Sequence, residues 1–319
     1  MPRHDERETD LKDKWLKVEL TAPPELIDAL SNFMTEIGAQ GVFQETPDPQ
    51  SSNGFTEDLT RETLKAYLPA DVRLDHRMDS LKTYIESLSQ VFPDLEKPLF
   101  KTEQIDDPNW GEAWKKYFKP LRVTKNIVIK PTWERFAPSG RDTVIEIDPG
   151  MAFGTGQHAS TRLCLQAIED LLLQERTMGK WRVLDVGTGT GILGIACAKL
   201  GVQKVVCVDT DKKAAEIAWE NIAINDVEER VNVINRDVLT IHERFDLIVA
   251  NLTAKILIKH RSHLVSLLGP DGYLIISGII EQNREEIECH FITPPLVSHH
   301  VITEKEWICY VLRKGGEAY

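Results

Sequence analysis

The chain has 319 residues, 42% hydrophobic and 28% charged, with a formal net charge of -12. This length accommodates two domains, each with its own core, and the composition is that of an ordinary globular protein. No apolar run approaches the roughly 20 residues that a bilayer-spanning helix needs. The charge is unevenly placed: residues 1–107 hold 12 Lys and Arg against 23 Asp and Glu, and residues 108–319 hold 26 against 27. Such an acidic first third repels nucleic acid and attracts a basic partner, although surplus acid also simply keeps a protein soluble.

The start, MPRHDERETDLKDK, has no apolar h-region and is expected to be a frayed tail over residues 1–14 rather than a secretory signal. Residues 15–107 predict an α+β unit. WLKVELT alternates as a strand, PPELIDALSNFMTEIG has helical spacing with a glycine stop, and GVFQET resumes an extended pattern. After the polar link PDPQSSNG the order repeats in LKAYLP, MDSLKTYIESLSQVF and PLFKTEQI. This βαββαβ order predicts a ferredoxin-like layer of helices on an antiparallel sheet, and its acidity makes it a candidate docking module.

Residues 108–123 are expected to form an interdomain linker helix. Trp110, Trp114 and Phe118 recur at four-residue spacing and so share one face, most simply as packing between domains. Residues 124–319 follow as a second domain. Short apolar strands from Ile127 lead to the glycine-rich DPGMAFGTGQHAST and then to the helix TRLCLQAIEDLLL. VLDVGTGTGILGIACAKL and VVCVD read as strand, glycine turn, helix and a strand ending in Asp209. A helix over 212–225, a strand in VNVINRDVL, another ending near Asn251, and later strands in GYLIISGII and WICYVLRK complete a doubly wound α/β sheet. Asp185, Asp209, Asp237 and Asn251 all fall at strand carboxyl ends, where such sheets bind ligands.

Gly187, Gly189 and Gly191 let the backbone turn tightly and approach a ligand, and Asp209 is placed to accept from a ribose diol. Gly189, Gly191 and Gly194 also satisfy the dinucleotide pattern G-x-G-x-x-G, so a nicotinamide oxidoreductase is a live alternative. Asp185 disfavours it, because a pyrophosphate would meet like charge there. A ligand with a cationic end suits the turn better, and S-adenosylmethionine carries a sulfonium, an ammonium group and no phosphate. Asp185 either orders the glycine turn or meets the amino end of the donor through water. Asp237 either receives the adenine amino group or caps its own loop. His158, with an ordinary pKa near 6.5, is a general-base candidate or a residue that fixes loop backbone. No His, Cys or carboxylate spacing suggests a metal site. Cys164, Cys197, Cys207, Cys289 and Cys309 form no C-x-x-C pair and read as reduced core residues of a cytoplasmic protein.

WLKVEL, IGAQGVF, GEAWKKYFKPLRV, IVIKPTWE, DPGMAFGTGQHAST, VLDVGTGTGILGIA and VANLTA together resemble the ribosomal protein L11 methyltransferase family (PrmA-type), class I enzymes dependent on S-adenosylmethionine. DPGMAFGTGQH is the most specific of these segments. A monomer is expected, and the resemblance implies a ferredoxin-like recognition domain, a linker and a Rossmann-like catalytic domain. It also implies methylation of lysine and terminal amines on L11, with no direct nucleic-acid or membrane partner. Carried over by motif, Thr161, Gly187, Asp209 and Asn251 contact the donor and Phe153 helps to enclose it. Two departures bear on substrate identity: Ala159 and Ser160 stand where the family has Pro-Thr, and Leu252 and Thr253 where it has Ile-Leu.

Methyl transfer from a sulfonium is an in-line displacement that needs alignment and exclusion of water but no covalent nucleophile. The acceptor amine must be neutral, and Asn251 is the first candidate to orient it through its amide carbonyl; the plainer alternative is a helix N-cap. Methylation of another protein amine or of a small molecule, and a non-catalytic ribosome-associated binder, are the remaining alternatives.

Overall fold

The computed structural model describes residues 15–39, 42–44, 61–105, 115, 118–148, 154, 156, 158–174 and 180–315. The expected tail, the PDPQSSNG link, Trp110, Trp114 and Phe153 lie outside them. The chain divides into two compact units, one within residues 1–118 with 149–151, the other within 119–148 and 152–319. The division thus falls inside the segment expected to be a linker helix.

In the first unit, β1 (Trp15–Ala22), α1 (Pro24–Glu36), β2 (Val42–Gln44), β3 (Glu62–Pro69), α2 (Leu74–Val91) and β4 (Leu99–Ile105) follow the βαββαβ order. The sheet runs β2-β3-β1-β4, and every pairing in it is antiparallel. Alternation decides which face is covered. Val18, Leu20, Ala22, Leu64, Ala66 and Leu68 point to one side and form a core with Leu26, Leu30, Met34, Leu81 and Ile85 of the two helices. The opposite face carries charge: Glu19 pairs with Lys101 at 2.6 Å, and Lys17 with Glu103 at 3.1 Å.

The second unit opens on a three-stranded sheet, β5 (Leu121–Arg122), β6 (Ile127–Lys130) and β7 (Thr143–Glu146). Leu121 and Arg122 pair with Ile129 and Val128, so the end of the segment 108–123 is strand and not helix. Pro120 gives the reason: it disfavours helical backbone at Lys119 and cannot donate the helical hydrogen bond. Phe118 is buried.

After α3 (Ala159–Gln174) come β8 (Arg182–Val186), α4 (Ile192–Lys199), β9 (Lys204–Asp209), α5 (Lys212–Ile224), β10 (Val231–Asn235), β11 (Phe245–Asn251), α6 (Ala254–Leu267), β12 (Leu268–Ile280), α7 (Arg284–Phe291), β13 (Leu296–Glu304) and β14 (Trp307–Lys314). The sheet order is β10-β9-β8-β11-β12-β14-β13, with β14 antiparallel to both its neighbours and the other pairings parallel. Both faces are buried, which explains the nearly continuous apolar strands: Val183, Leu247, Val249 and Ile275 face one core, and Leu184, Ile248, Ala250 and Ile276 the other. The order reverses between β8 and β11, so the turns after Val186 and Asn251 meet at the switch point, where open α/β sheets bind ligands.

Candidate functional site

The turn after β8 is held by backbone bonds before any ligand is considered. Gly187 and Thr188 donate to the Val208 carbonyl at 2.9 and 3.1 Å, and Gly191 donates to Thr188 at 2.9 Å. Gly187 has φ +68° and Gly191 φ +82°, conformations an L side chain rarely adopts. Packing adds a second requirement. A Cβ on Gly187 would lie 2.6 Å from Leu252 Cδ2, and one on Gly191 would lie 3.3 Å from Ala218 Cβ. At these two positions the need for glycine is thus set by backbone conformation and by neighbouring protein atoms.

Asp185 is fully enclosed. Its Oδ2 accepts from Thr188 Oγ1 at 2.6 Å and from the Gly194 amide at 3.1 Å, while its Oδ1 is buried without a hydrogen-bond partner among the described residues. Burial pushes its pKa up to about 6, and the nearby Asp209 carboxylate adds repulsion, against the lowering effect of the Thr188 and Gly194 bonds. Asp185 therefore organises the turn from behind.

Asp209, half-buried at the end of β9, accepts from the Gly189 amide at 3.0 Å and from the Asp211 amide at 2.9 Å. Neither Asp185 nor Asp209 has a Lys or Arg partner among the described residues. Asp237 stands beyond β10 and caps the short 3-10 turn Val238–Thr240, its Oδ1 accepting from Leu239 N at 2.9 Å. The loop-cap role is thus realised.

Asn251 ends β11. Its Nδ2 donates to the Oγ1 of Thr161, which is buried in the first turn of α3, at 3.4 Å. The N-cap of α6 is Thr253, which makes no side-chain cap bond, so Asn251 is not the cap. Gly278, at φ +80°, allows this approach: a Cβ there would sit 2.6 Å from the Leu252 carbonyl oxygen and 3.1 Å from Asn251 Oδ1. It lies where the β12–β14 register shifts, between Ile276 and Ile279. Sequence reading passed over Gly278, although a single glycine inside an apolar strand signals a bulge.

His158 packs edge-on to Trp307 at 4.5 Å between ring centroids, and its Nδ1 accepts from the Ser160 amide at 3.2 Å. The ring thereby fixes the entry to α3. Cys164, Cys197, Cys207 and Cys309 are buried thiols, whereas Cys289 is exposed and corrects its placement in the core. Burial raises the Cys197 and Cys207 thiols, which keeps them neutral. Among the described residues no cluster of His, Cys, Asp and Glu fits a metal, and no helix is long and apolar enough to cross a membrane.

Together these residues form a candidate site: a glycine turn, the Asp209 carboxylate with no Lys or Arg partner among the described residues, and an Asn–Thr pair at a strand end beside it. An antiparallel strand inserted before the last position departs from the order 3-2-1-4-5-6 of dinucleotide-binding sheets. Fold and site define a class I methyltransferase. The comparisons with known proteins carry this further: residues 14–315 match the family "Ribosomal protein L11 methyltransferase (PrmA)", and the chain belongs to that family. Relatives of the same description include one from Pelobacter propionicus, 34% identical over 310 residues and spanning 96% of this chain and 99% of its own. Another, from Geobacter sulfurreducens, is 36% identical over 307 residues and spans 95% and 99%. The crystal structure of ribosomal protein L11 methylase from Lactobacillus delbrueckii subsp. bulgaricus is similar at TM-score 0.56 and 31% identity, covering 62% of this chain and 100% of that one.

Proposed function

We propose that the protein transfers methyl groups from S-adenosylmethionine to lysine and terminal amines of ribosomal protein L11, and that its first unit presents this substrate to the second. The observation that carries the reading is family membership across both units. The nicotinamide alternative has no comparable support.

The residues present fit the donor. Asp209, half-buried and with no cationic partner among the described residues, favours a ligand with hydroxyl donors or positive charge over a pyrophosphate. When bound, S-adenosylmethionine supplies a methyl group already activated on sulfur, so the chain's task is alignment and exclusion of water. Asp209 would accept both ribose hydroxyls through lone pairs that the Gly189 and Asp211 amides leave open. Asp237 would receive the adenine amino group on Oδ2, and Phe153, outside the described residues, would help to enclose the donor. Of the two roles expected for Asp185, its enclosure favours ordering the turn over meeting the amino end of the donor through water.

On the acceptor side, the Asn251 Nδ2 bond to Thr161 leaves Oδ1 to accept an N–H from the amine and aim its lone pair at the methyl group. An exposed lysine, with a pKa of about 10.4, must first lose its proton, and desolvation at the strand ends favours the neutral form. His158 is better read as a fixture of the α3 entry than as the base.

Docking through acidity has a narrower basis than composition suggests. Residues 15–39, 42–44 and 61–105 carry twelve acidic and eight basic side chains, so most of the surplus of the first 107 lies outside the described segments. The reading places the protein in the cytoplasm as a monomer without nucleic-acid contacts of its own. Mass spectrometry of free L11 after incubation with the protein and S-adenosylmethionine tests it. Additions of whole methyl masses are expected, and their absence alongside calorimetric donor binding would overturn the substrate while keeping the enzyme class.

A further inference from the structure

We infer that Thr190 is a positioning residue for the donor site, holding the second glycine-rich segment against the turn after β8. The inference rests on the donor site proposed above. Thr190 lies between Gly189 and Gly191 but is 1% exposed, so its side chain is not a donor contact. Its hydroxyl instead donates to the carbonyl of Gly154 at 2.6 Å. Its own carbonyl accepts from Asn221 Nδ2 of α5 at 2.9 Å, and Asn225, one turn further on, donates to the carbonyls of Asn221 at 2.8 Å and Glu146 at 2.7 Å. A line of hydrogen bonds therefore runs from β7 through α5 and the glycine turn to Gly154.

The fit is close from both sides. Gly154 has φ +101°, and a Cβ on it would lie 3.0 Å from Thr190 Oγ1. Two other ties hold the ends of this segment: Asp148 accepts from Thr132 N at 2.7 Å and Thr132 Oγ1 at 2.8 Å, and His158 is bonded to Ser160. Those ties fix Asp148 to the turn after β6 and His158 to the start of α3. The Thr190 hydroxyl fixes Gly154 to the donor turn itself, and thus sets the spacing between Gly154 and that turn.

Valine at 190 has nearly the same shape but cannot donate, and leaves a buried carbonyl without its partner. The expected result of Thr190→Val is a donor Kd raised on the order of tenfold. Donor KM should rise with it while kcat stays within about threefold, because the lost spacing weakens ground state and transition state alike. Thr190→Ser keeps the hydroxyl and should recover most of the affinity. Gly154→Ala disturbs the same bond from the opposite side and should weaken donor binding too.

Calorimetric titration of S-adenosylmethionine into the full-length wild type and these three variants, with KM and kcat measured on L11, tests the inference. It is overturned if Thr190→Val binds the donor as tightly as wild type, or if Thr190→Ser is as weak as Thr190→Val. Should Thr190→Val fail to fold by circular dichroism, Gly154→Ala decides: weakened binding supports the inference and wild-type binding overturns it. A wild type that binds no donor is a different result, which sinks the donor-site reading itself.

Discussion

Asp185→Asn exposes the electrostatic cost of the glycine turn. In the folded chain the carboxyl pKa stands at about 6 against an ordinary 3.8, chiefly because the group is buried. That gap corresponds to about 3 kcal/mol between the protonation states. The pKa is raised on folding, so the group's contribution to stability is fully present below pH 3.8 and is lost as pH rises through about 6. At pH 7 the folded protein therefore bears nearly the whole cost of an ionised, enclosed carboxylate. Asparagine is close to isosteric with the protonated acid, and its amide oxygen can still accept from Thr188 and Gly194 in the place of Oδ2. Its NH2 would replace an oxygen that has no partner among the described residues, which discounts the gain. D185N should thus be about 1–3 kcal/mol more stable than wild type at pH 7 and show little or no advantage at pH 4. Urea unfolding of both proteins from pH 4 to pH 7.5 at fixed ionic strength measures the difference, and pH effects common to both cancel. A difference that is flat across this range, or that shrinks as pH rises, would refute the reasoning.

Asp209→Ala removes the acceptor proposed for the ribose and should weaken donor binding roughly 30–100-fold, two bonds to a partly exposed carboxylate counted at about 1 kcal/mol or slightly more each; calorimetry checks it, and a Kd within twofold of wild type would reject the assignment. Asn251→Ala should lower kcat on the order of 10²-fold, more than it raises the donor KM, because it misaligns the acceptor amine; steady-state kinetics on L11 would contradict this if kcat held within threefold. Gly278→Ala drives a Cβ to 2.6 Å from the Leu252 carbonyl oxygen in a backbone with φ +80°. That variant should lose about 3 kcal/mol or more of stability, and a urea midpoint equal to wild type would show that the bulge tolerates a side chain.

The alternation of WLKVEL and LKAYLP, and the helical spacing between them, fixed the first unit's elements, because a half-buried sheet must repeat every second residue whatever surrounds it. The long apolar strands, the glycine turn and the acid at the end of β9 were equally legible, being local requirements of a buried parallel sheet and of positive φ. Three things were not. The expected helix ended in strand at Leu121–Arg122 because pairing with Val128 and Ile129 is a partnership across the chain, with only Pro120 to hint at it. The insertion of β14 between β12 and β13 depends on which edges meet, which no periodicity records. The jobs of individual polar residues waited on their neighbours: Asp185 turned inward to Thr188 and Gly194, Asp237 became a cap, and Thr190 found Gly154, 36 residues away. Local backbone preferences determine the elements from the sequence alone, whereas a buried hydrogen bond acquires its partner only when distant segments pack, and that step the tertiary structure decides.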